Sequence, residues 1–340
     1  MTVDPAGRSA AFRAVAETQP GCTPYDNHRP IFVRKRSAGQ TLASLLQRVR
    51  PYSQDPSQMA AHRDCGWLTV DHKKPDLDQI LLAGNIVRFV VPDTVEPEIS
   101  PALVVLHEDD HLMVFHKPSP LPVHPSGRFN KNTLVWIGRQ AWPDVTLKPV
   151  HRLDANTTGV LVCAKTSAAA RALVTEFRER RVQKRYLARV RGLPAETVFS
   201  IEASITPTPS KAGTRVVAAD GQQAHTEVRL LGALSDGTSL LEVWPRTGRT
   251  HQIRLHLQTA GLPIVGDAAY ADRSATSAGF TQANAPLCLH AHGIGFPHPV
   301  TGEWVEFSAP VPQHFGPEAP PKTAALSPLR PHEAMGRSGE

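Results

Sequence analysis

The sequence predicts an α+β chain with two folded parts, a small unit over residues 30–98 and a larger unit over residues 99–318. In the first part, leucines recur at helical spacing over residues 41–49, and two strand-like apolar runs follow. From residue 102 onward, short apolar runs alternate with polar turns, as is typical of many short strands with few helices. A length of 340 residues fits one large domain with an appendage, or two domains.

The two ends of the chain differ from these parts. Residues 1–29 mix Ala, Thr, Pro and Gly without sustained periodicity, so they predict a loose tail. Residues 319–340 contain repeated prolines, which support neither a helix nor a central strand, so we expect a disordered tail there. The proline-containing segment 95–101 reads as a linker between the two folded parts.

The overall charge favours a polyanionic partner. The formal net charge is +6 and the pI is about 9.3, although a merely soluble surface would account for these values equally well. The N-terminus lacks a basic start followed by an apolar run, and no segment approaches the roughly 20 apolar residues of a membrane span. The four cysteines are scattered, which suits a reducing compartment, so we expect a cytoplasmic protein without membrane contact.

The larger unit contains several elements that can be placed from periodicity. Ser167 is a candidate helix N-cap, and Leu173, Val174 and Phe177 fall on the expected buried side of its helix. The predicted elements are a hairpin of 103–106 with 112–115, strands at 159–164, 184–192 and 238–244, a helix at 167–181, and a helix from residue 250 to before Gly261.

Positive charge is concentrated between residues 171 and 191. This segment holds seven arginines and one lysine against two glutamates, so its net charge equals that of the whole chain. Such concentration favours phosphate contacts, although a solvated helix face would also explain it. Tyr186 lies within the segment, and an aromatic ring beside arginines can stack on an unpaired base. A tyrosine on the core side of a strand is an equally good interpretation.

The segment 151–159, His-Arg-Leu-Asp-Ala-Asn-Thr-Thr-Gly, places a carboxylate in a tight loop before a buried strand. The neighbouring guanidinium of Arg152 would keep Asp154 ionised, and a dry pocket wall would make it a stronger nucleophile. The alternative is that Asp154 and Asn156 only form a turn by bonding to their own backbone. Spacing alone favours this alternative.

The segment 246–254, Arg-Thr-Gly-Arg-Thr-His-Gln-Ile-Arg, turns into a helix. The helix N-terminal amides with Arg246 and Arg249 would suit a phosphate. Helical spacing places His251, Arg254 and Gln258 on one face, so Arg254 could point from a rigid element into a cleft. A surface arginine is the alternative interpretation.

The histidine pairs His290/His292 and His251/His256 are candidate metal ligands, but no third and fourth ligand follows at a helpful spacing. We therefore expect no metal site. Gly293-Ile-Gly295 does not continue into a dinucleotide fingerprint, and no phosphate-binding lysine loop is present.

Five segments in order resemble the RluA-type pseudouridine synthase family, over about residues 102–312. The second of them, residues 151–159, resembles the signature loop of that family. The segments are Glu108 to Pro125, His151 to Gly159, Val182 to Val190, Arg246 to Leu257 with Gly261 to Asp267 and Tyr270, and Leu287 to Pro299.

The resemblance implies a fold and an activity. The fold would be a mixed, largely antiparallel central sheet with flanking helices and loops around a basic cleft. The activity would be isomerisation of uridine to pseudouridine in structured RNA, either large-subunit ribosomal RNA or transfer RNA, by flipping the base out of its stack. This isomerisation involves no redox change and no net hydrolysis, so no cofactor is expected.

The resemblance also implies roles for individual residues. Asp154 matches the catalytic aspartate, Tyr186 the tyrosine that packs against the target base, and Arg254 the arginine that pairs with the catalytic carboxylate. Other matched positions belong to the expected substrate and RNA-binding set, which also includes the two phosphate candidates from the helix start. This set comprises Arg152, which enters the RNA where the uridine leaves, Leu255 on an apolar pocket wall, Lys117 and Lys184 near the site, and Arg246 and Arg249.

The sequence departs from the family pattern at a few positions. Thr158 replaces the usual serine of the signature loop, and His116 replaces a common asparagine. Residues 30–98 resemble the small RNA-binding domain that often precedes the catalytic domain, but Asn85 stands where aspartate is usual. We expect this small domain to be a degenerate version.

Two other functions remain open from the sequence. One is an RNA-binding or ribosome-assembly factor without catalysis, and the other is a hydrolase with paired carboxylates such as Asp154 and Asp267. The intact set of Asp154, Tyr186 and Arg254 argues against the first. The stretch 122–134 resembles the branch of the family that acts on transfer RNA. A monomer is expected, as is general in the family.

Overall fold

The structure, a computed structural model, describes residues 4–18, 20–49, 52, 55–208, 214–270 and 286–316. The chain divides into two units. The large unit comprises residues 1–18, 98–126 and 132–340, and the small unit comprises residues 19–97 and 127–131. The predicted disordered tail at 319–340 lies outside the described residues. None of the helices in the described ranges has the length and apolar character that a bilayer crossing requires.

The predicted loose tail over residues 1–29 is wrong, because this segment contains a helix and the start of a strand. Helix α1 (Pro5–Glu17) begins after Asp4, whose side chain accepts a hydrogen bond from the Ala6 amide at 3.0 Å. Pro5 occupies the first turn, where its missing N–H costs nothing. Phe12 is fully buried and stacks on Trp142 with ring centroids 5.6 Å apart, so tertiary packing stabilises a helix of weak amphipathicity.

The small unit is a three-stranded antiparallel sheet with two short helices. Its apolar side chains include Leu42 and Leu46 of the first helix and Phe89 of the central strand, and all three are buried in one core. Strand order is β1-β3-β2. The elements are β1 (Tyr25–Phe32), α2 (Leu42–Leu46), α3 (Gln58–Asp64), β2 (Leu68–Val70) and β3 (Ile86–Thr94).

The large unit is built on one long sheet of order β4-β5-β7-β12-β8-β11-β10-β9, with β13 beside β12 and β6 beside β7. All strand pairs are antiparallel except β7 with β12, which are parallel. The strands are β4 (Val104–Glu108), β5 (Leu112–Lys117), β6 (Lys148–Pro149), β7 (Thr158–Ala164), β8 (Gln183–Arg191), β9 (Val198–Glu202), β10 (His225–Ala233), β11 (Thr238–Pro245), β12 (Leu289–Pro297) and β13 (Trp304–Ser308).

Three further helices flank this sheet, α4 (Leu134–Ala141), α5 (Ser167–Arg178) and α6 (Gln252–Thr259). Helix α5 differs in detail from its prediction. Its N-cap is Thr166, whose hydroxyl accepts from the Ala169 amide at 3.1 Å, and it ends at Arg178. Val174 was expected to be buried but is exposed, because Ala169 and Leu173 face the sheet instead.

The order of elements confirms the predicted α+β class with a mixed, largely antiparallel sheet. Strand β7 lies near the centre of the sheet and all seven of its residues are buried. The parallel pair of β7 and β12 requires a close approach at Gly159, which has φ of 120° and lies opposite Ala291. This contact fixes the end of the 151–159 loop against the middle of the sheet.

Candidate active site

Asp154 lies in the loop between β6 and β7, on the wall of a cavity of about 1000 Å³ in the large unit. Its backbone carbonyl accepts from the Thr157 amide at 3.1 Å, so the residue also takes part in a turn formed by the backbone itself. The side chain remains 19% exposed. Turn formation and access to the cavity are therefore combined in one residue.

Lys117, at the end of β5, contacts the loop that contains Asp154. It is fully buried, and its ammonium donates to the carbonyl oxygens of Pro118, Leu121 and Ala155 at 2.9, 2.9 and 3.1 Å. Burial lowers the Lys117 pKa to about 7, and the nearby Asp154 carboxylate opposes that shift. The predicted contact between this side chain and RNA does not hold in this structure, because Lys117 has no exposed surface.

Arg254 joins two carboxylates from the middle of α6. Its Nε and Nη2 atoms donate to both oxygens of Asp267 at 2.7 and 2.6 Å, and its Nη1 atom lies 3.3 Å from Oδ2 of Asp154. Burial opposes the charge of Arg254, but Asp267 and then Asp154 outweigh it and raise the Arg254 pKa. The bidentate pair with Asp267 therefore keeps a cation fixed beside Asp154.

A buried glutamine at the start of α6 aligns this helix with the sheet. Gln252 donates to the carbonyl of His225 and the hydroxyl of Thr226, both at 2.9 Å. Its own carbonyl accepts from the Thr247 hydroxyl and the Arg249 amide at 2.7 and 3.0 Å. These four bonds give α6 a defined position, and Arg254 is directed to the cavity from that position.

Tyr186 lies on β8 and lines the same cavity as Asp154. The residue is partly buried, and its neighbours Leu187 and Ala188 are fully buried. Burial raises the Tyr186 pKa, and the charge of Asp154 adds to the effect, so the phenol stays protonated at neutral pH. The core and base-stacking interpretations of Tyr186 are therefore compatible, since one part of the ring is packed and another part faces the cavity.

The cavity has a basic wall. Several of its cations already have partners, including Arg178 with Glu179 and Arg181 with Glu176. Arg246 pairs with Glu227 at 2.7 and 2.6 Å, and Arg249 donates to Gln222 and to the Gln223 carbonyl, both at 3.1 Å. The cationic residues that line the cavity are Arg152, Arg178, Arg180, Arg181, Lys184, Arg246, Arg249 and Arg254.

Lys184 is held at the base of this wall by the carbonyl of Thr247, to which it donates at 3.2 Å. Burial lowers its pKa to about 8, and the charge of Arg246 adds to that shift. Lys184 therefore fits an RNA contact less well than the exposed arginines do.

Arg152 is exposed and forms no hydrogen bond or ion pair with another described residue. Replacement of Arg152 by alanine is expected to weaken RNA binding and to reduce the slope of log Kd against log salt by about 0.7 to 1, because one phosphate contact is lost. Binding titrations at several salt concentrations would measure this slope. Arg139, exposed on α4 and outside the cavity, provides the control. An equal effect of Arg139→Ala would show that only net charge matters.

Leu255 is not on the cavity wall, contrary to prediction. Its side chain is 7% exposed and packs with Ile205, Ala224 and Tyr270 in a small core cluster. It follows Arg254 on α6 and therefore points to a different side of the helix. The apolar residues that do line the cavity include Leu153, Phe177 and Leu289.

Two residues of the site were not assigned a role from the sequence. His251 lines the cavity with its Nε2 atom 3.7 Å from Oδ2 of Asp154, and its Nδ1 atom is 2.8 Å from the hydroxyl of Tyr270. His251 had been considered only as a metal ligand and as a member of the Arg254 face. The available signal for His251 was the predicted helix face that it shares with Arg254. Tyr270 had no such signal, because it lies in a loop after α6.

Two other histidines of the candidate pairs, His290 and His256, bond to neighbouring protein groups. His290 contacts the Thr158 hydroxyl at 2.8 Å and the Ala309 carbonyl at 3.3 Å, and both nitrogens of His256 also have partners. Within the described residues, no group of three or more His, Cys, Asp or Glu side chains has an arrangement that could hold a metal ion.

Comparisons with known proteins give the family of this site. A family model described as RNA pseudouridylate synthase matches residues 111–259. An uncharacterized RNA pseudouridine synthase of Chloroflexus aurantiacus is 38% identical over 256 residues, which cover 73% of this chain and 79% of that protein. The ribosomal large subunit pseudouridine synthase C of Escherichia coli K12 is 37% identical over 264 residues, with coverage of 72% and 82%.

Two further similarities agree. The dual-specificity RNA pseudouridine synthase RluA of Escherichia coli K12 is 38% identical over 218 residues, which cover 63% of this chain and 95% of that protein. The solved structure of human RNA pseudouridylate synthase domain containing 1 superposes with a TM-score of 0.51 at 30% identity, and covers 61% of this chain and 83% of that one. The chain belongs to the RNA pseudouridine synthase family, of the RluA type. It is an enzyme that isomerises uridine in RNA.

Proposed function

We propose that the target uridine leaves its stack and enters the 1000 Å³ cavity, where Asp154 is the catalytic carboxylate. The observation that carries this proposal is the position of Asp154 on the cavity wall, with its carboxylate 3.3 Å from the fixed guanidinium of Arg254 and with Tyr186 on the same wall. Removal of a base from its stack costs a few kcal/mol. Phosphate contacts with the basic wall offset this cost.

The isomerisation breaks the bond between N1 of uracil and C1′ of the ribose and forms a bond between C5 and C1′. A proton leaves C5, and N1 gains one, so atoms and electrons balance without an oxidant or a water molecule. Asp154 assists either as a nucleophile at C1′ or as a base toward the ribose. Both routes need an ionised carboxylate, and the guanidinium of Arg254 lies 3.3 Å from it.

The detached uracil must stay in the cavity while it turns. The ring of Tyr186 offers a stacking surface, and the apolar side chains of Leu153 and Leu289 border the same space. Arg152 would occupy the gap in the RNA, because it is exposed and has no partner among the described residues. The reaction involves no net redox change and no net hydrolysis, so no cofactor is required. We expect no metal to take part, and activity should survive extensive dialysis of the protein against EDTA.

The proposed substrate is large-subunit ribosomal RNA. The support is the similarity to the Escherichia coli enzyme named as a ribosomal large subunit pseudouridine synthase, which extends over 72% of this chain. Transfer RNA is the second candidate, because residues 122–134 resemble the branch of the family that acts on it. Since ribosomal and transfer RNA are made and used in the cytoplasm of bacteria, we place the protein there.

The hydrolase interpretation with Asp154 and Asp267 is disfavoured by the geometry. Both oxygens of Asp267 accept bonds from Arg254, and the side chain is 2% exposed. A carboxylate with both oxygens bonded and almost no exposed surface is poorly placed to contact a substrate. We also propose a monomer, as the resemblance to the family implies. A stable dimer in sedimentation equilibrium would contradict that part of the proposal.

The test uses unmodified ribosomal and transfer RNA transcripts with tritium at C5 of uridine, incubated separately with the protein. Isomerisation releases the tritium to water, and mapping then locates each pseudouridine. We expect release from ribosomal RNA and none from transfer RNA. Tritium release only from transfer RNA would show that transfer RNA, and not ribosomal RNA, is the substrate. Free uracil would indicate a hydrolase, and binding without tritium release from any RNA would indicate an RNA-binding factor.

A further inference from the structure

The backbone of His251 has a conformation that its side chain does not favour. It precedes α6 with φ of 59° and ψ of 19°, in the left-handed region, although it is not a glycine. Such a conformation costs of order 1 kcal/mol and persists only where surrounding contacts enforce it. It directs the imidazole into the cavity, with Nε2 3.7 Å from Oδ2 of Asp154.

Tyr270 determines which nitrogen of this imidazole carries the proton. The Arg215 amide donates to the Tyr270 hydroxyl at 2.8 Å, and that hydroxyl lies 2.8 Å from Nδ1 of His251. When the hydroxyl hydrogen is donated to Nδ1, the imidazole proton is on Nε2 and faces the Asp154 carboxylate. The other tautomer would place a lone pair against that carboxylate, which is electrostatically unfavourable.

The two hydrogen bonds from Arg215 through Tyr270 to His251 therefore have a single direction. The next step, from His251 Nε2 to Asp154 Oδ2 at 3.7 Å, is an electrostatic contact and not a hydrogen bond. The Tyr270 ring is held in place by two further contacts. It meets the His251 ring edge-on at a centroid distance of 5.6 Å, and the Arg254 guanidinium lies 5.0 Å from its centroid. Burial is the largest influence on the Tyr270 pKa and raises it, so the hydroxyl keeps the proton that it donates.

The charge state of His251 supports the same position of the imidazole proton, on Nε2. Burial lowers its pKa, Asp154 and Asp267 oppose this shift, and Arg254 and Arg215 add to it. The imidazole is therefore neutral at neutral pH. A neutral ring with its proton on Nε2 has one donor, and this donor faces Asp154.

His251 and Arg254 both approach the same oxygen of Asp154. Arg254 Nη1 lies 3.3 Å and His251 Nε2 lies 3.7 Å from Oδ2, whereas Oδ1 accepts no hydrogen bond from another described residue. The two carboxylate oxygens are therefore not equivalent. One is held by the protein, and the other remains available to a substrate.

We propose that His251 and Tyr270 form a positioning pair that holds Oδ2 of Asp154 and presents Oδ1 to the flipped nucleotide. Tyr270 acts only through His251, by fixing its tautomer. The pair supplies orientation that the single contact with Arg254 leaves incomplete, because rotation about the carboxylate bond would otherwise exchange the two oxygens. This inference rests on the proposed catalytic role of Asp154.

The first test needs no RNA. The imidazole nitrogens of the full-length protein are labelled with ¹⁵N, and the signals of His251 are identified by their loss in His251→Asn. We expect the Nε2-protonated neutral tautomer in the wild type and a mixture of tautomers in Tyr270→Phe, which removes only the hydroxyl. A wild-type spectrum with the proton on Nδ1 would overturn the proposal, whichever RNA is the substrate.

The second test measures single-turnover pseudouridine formation and RNA affinity for three variants. His251→Asn tolerates the left-handed backbone, but its shorter amide does not reach Asp154. We expect its rate to fall roughly 10- to 100-fold, with unchanged RNA affinity. His251→Gln, whose longer amide restores a donor near Nε2, should recover to within about fivefold of wild type. Tyr270→Phe should slow the reaction about tenfold, because the tautomer is no longer fixed.

The double variant His251→Asn/Tyr270→Phe distinguishes action of Tyr270 through His251 from independent effects of the two residues. Because Tyr270 acts through His251, the double variant should be as slow as His251→Asn alone. A double variant that is slowed by the product of the two single effects would overturn the proposal. Equal slowing by asparagine and glutamine would also overturn it, since a merely structural role for His251 predicts no rescue. Wild-type activity, measured in parallel, reports separately on the proposed function.

Discussion

Replacement of Asp154 by asparagine is expected to lower the rate of pseudouridine formation on the order of 10³-fold or more, because the reaction loses its ionised carboxylate. The amide keeps the size of the side chain and can still face Arg254. The structure should remain folded, since the main partner of Arg254 is Asp267, with bonds of 2.6 and 2.7 Å. Single-turnover assays with excess protein over labelled RNA would measure the chemical step directly.

Asp110→Asn is the matched control for this change. Asp110 is an exposed aspartate in the turn between β4 and β5, and it does not line the cavity. We expect it to leave both the rate and the RNA affinity unchanged. Asp154→Asn should bind RNA as well as the wild type does, or slightly better, because a negative charge is removed from a basic wall. A rate of Asp154→Asn within tenfold of wild type would show that Asp154 is not the catalytic carboxylate.

Replacement of Gly159 by alanine is expected to destabilise the large unit by at least about 4 kcal/mol. The reason is a close approach of two backbones. A Cβ at this position would lie 2.2 Å from the carbonyl oxygen of Ala291 on β12, and φ of 120° is unfavourable for any residue with a side chain. Relief requires β7 and β12 to separate, which would also displace the loop that carries Asp154.

Gly237→Ala separates the clash from the effect of positive φ. Gly237 lies in the turn between β10 and β11 with φ of 78°, and an added Cβ would meet no atom within 4 Å. We expect it to cost only about 1–2 kcal/mol. Urea unfolding followed by tryptophan fluorescence, in a Trp67→Phe background, would report on the large unit alone. Equal destabilisation by the two alanines would show that the contact with Ala291 does not matter.

About half of the elements of the large unit could be predicted, because their sequence patterns are local. Strand β7 is a continuous apolar run, and all of its residues are buried. The hairpin of β4 and β5 and the strands β8 and β11 also follow from alternation and turn residues. The parallel pairing of β7 with β12 could not be read in this way, because it joins residues about 130 positions apart.

Helix α1 shows why a local pattern can be insufficient. Its sequence contains a good start signal, Asp4-Pro5, but five of its seven apolar residues are alanine. The helix is stabilised by Trp142, whose indole N–H donates to the Arg8 carbonyl at 3.1 Å and whose ring stacks on Phe12. In the sequence, Trp142 is separated from this helix by the small unit and the predicted linker, so no local pattern could identify it.

The site was predicted unevenly for a similar reason. Family resemblance selected Asp154, Tyr186 and Arg254, and the structure brings all three to one cavity. Resemblance shows that a position matters, but it does not show which atoms it contacts. Lys117 was therefore assigned to RNA although it bonds to backbone carbonyls. The ion pair of Arg254 with Asp267 was likewise missed.

The parallel pair at Gly159 has a consequence for the order in which a newly made chain acquires activity. Before β12 (Leu289–Pro297) is synthesised, β7 can pair only with β5 and β6, and one edge of β7 lacks its neighbour. The Thr158 hydroxyl then also lacks His290. An incomplete chain that ends before residue 289 would carry Asp154, Tyr186 and Arg254 and still lack the strand against which the Asp154 loop is fixed. Catalytic competence therefore arises only after β12 has been synthesised.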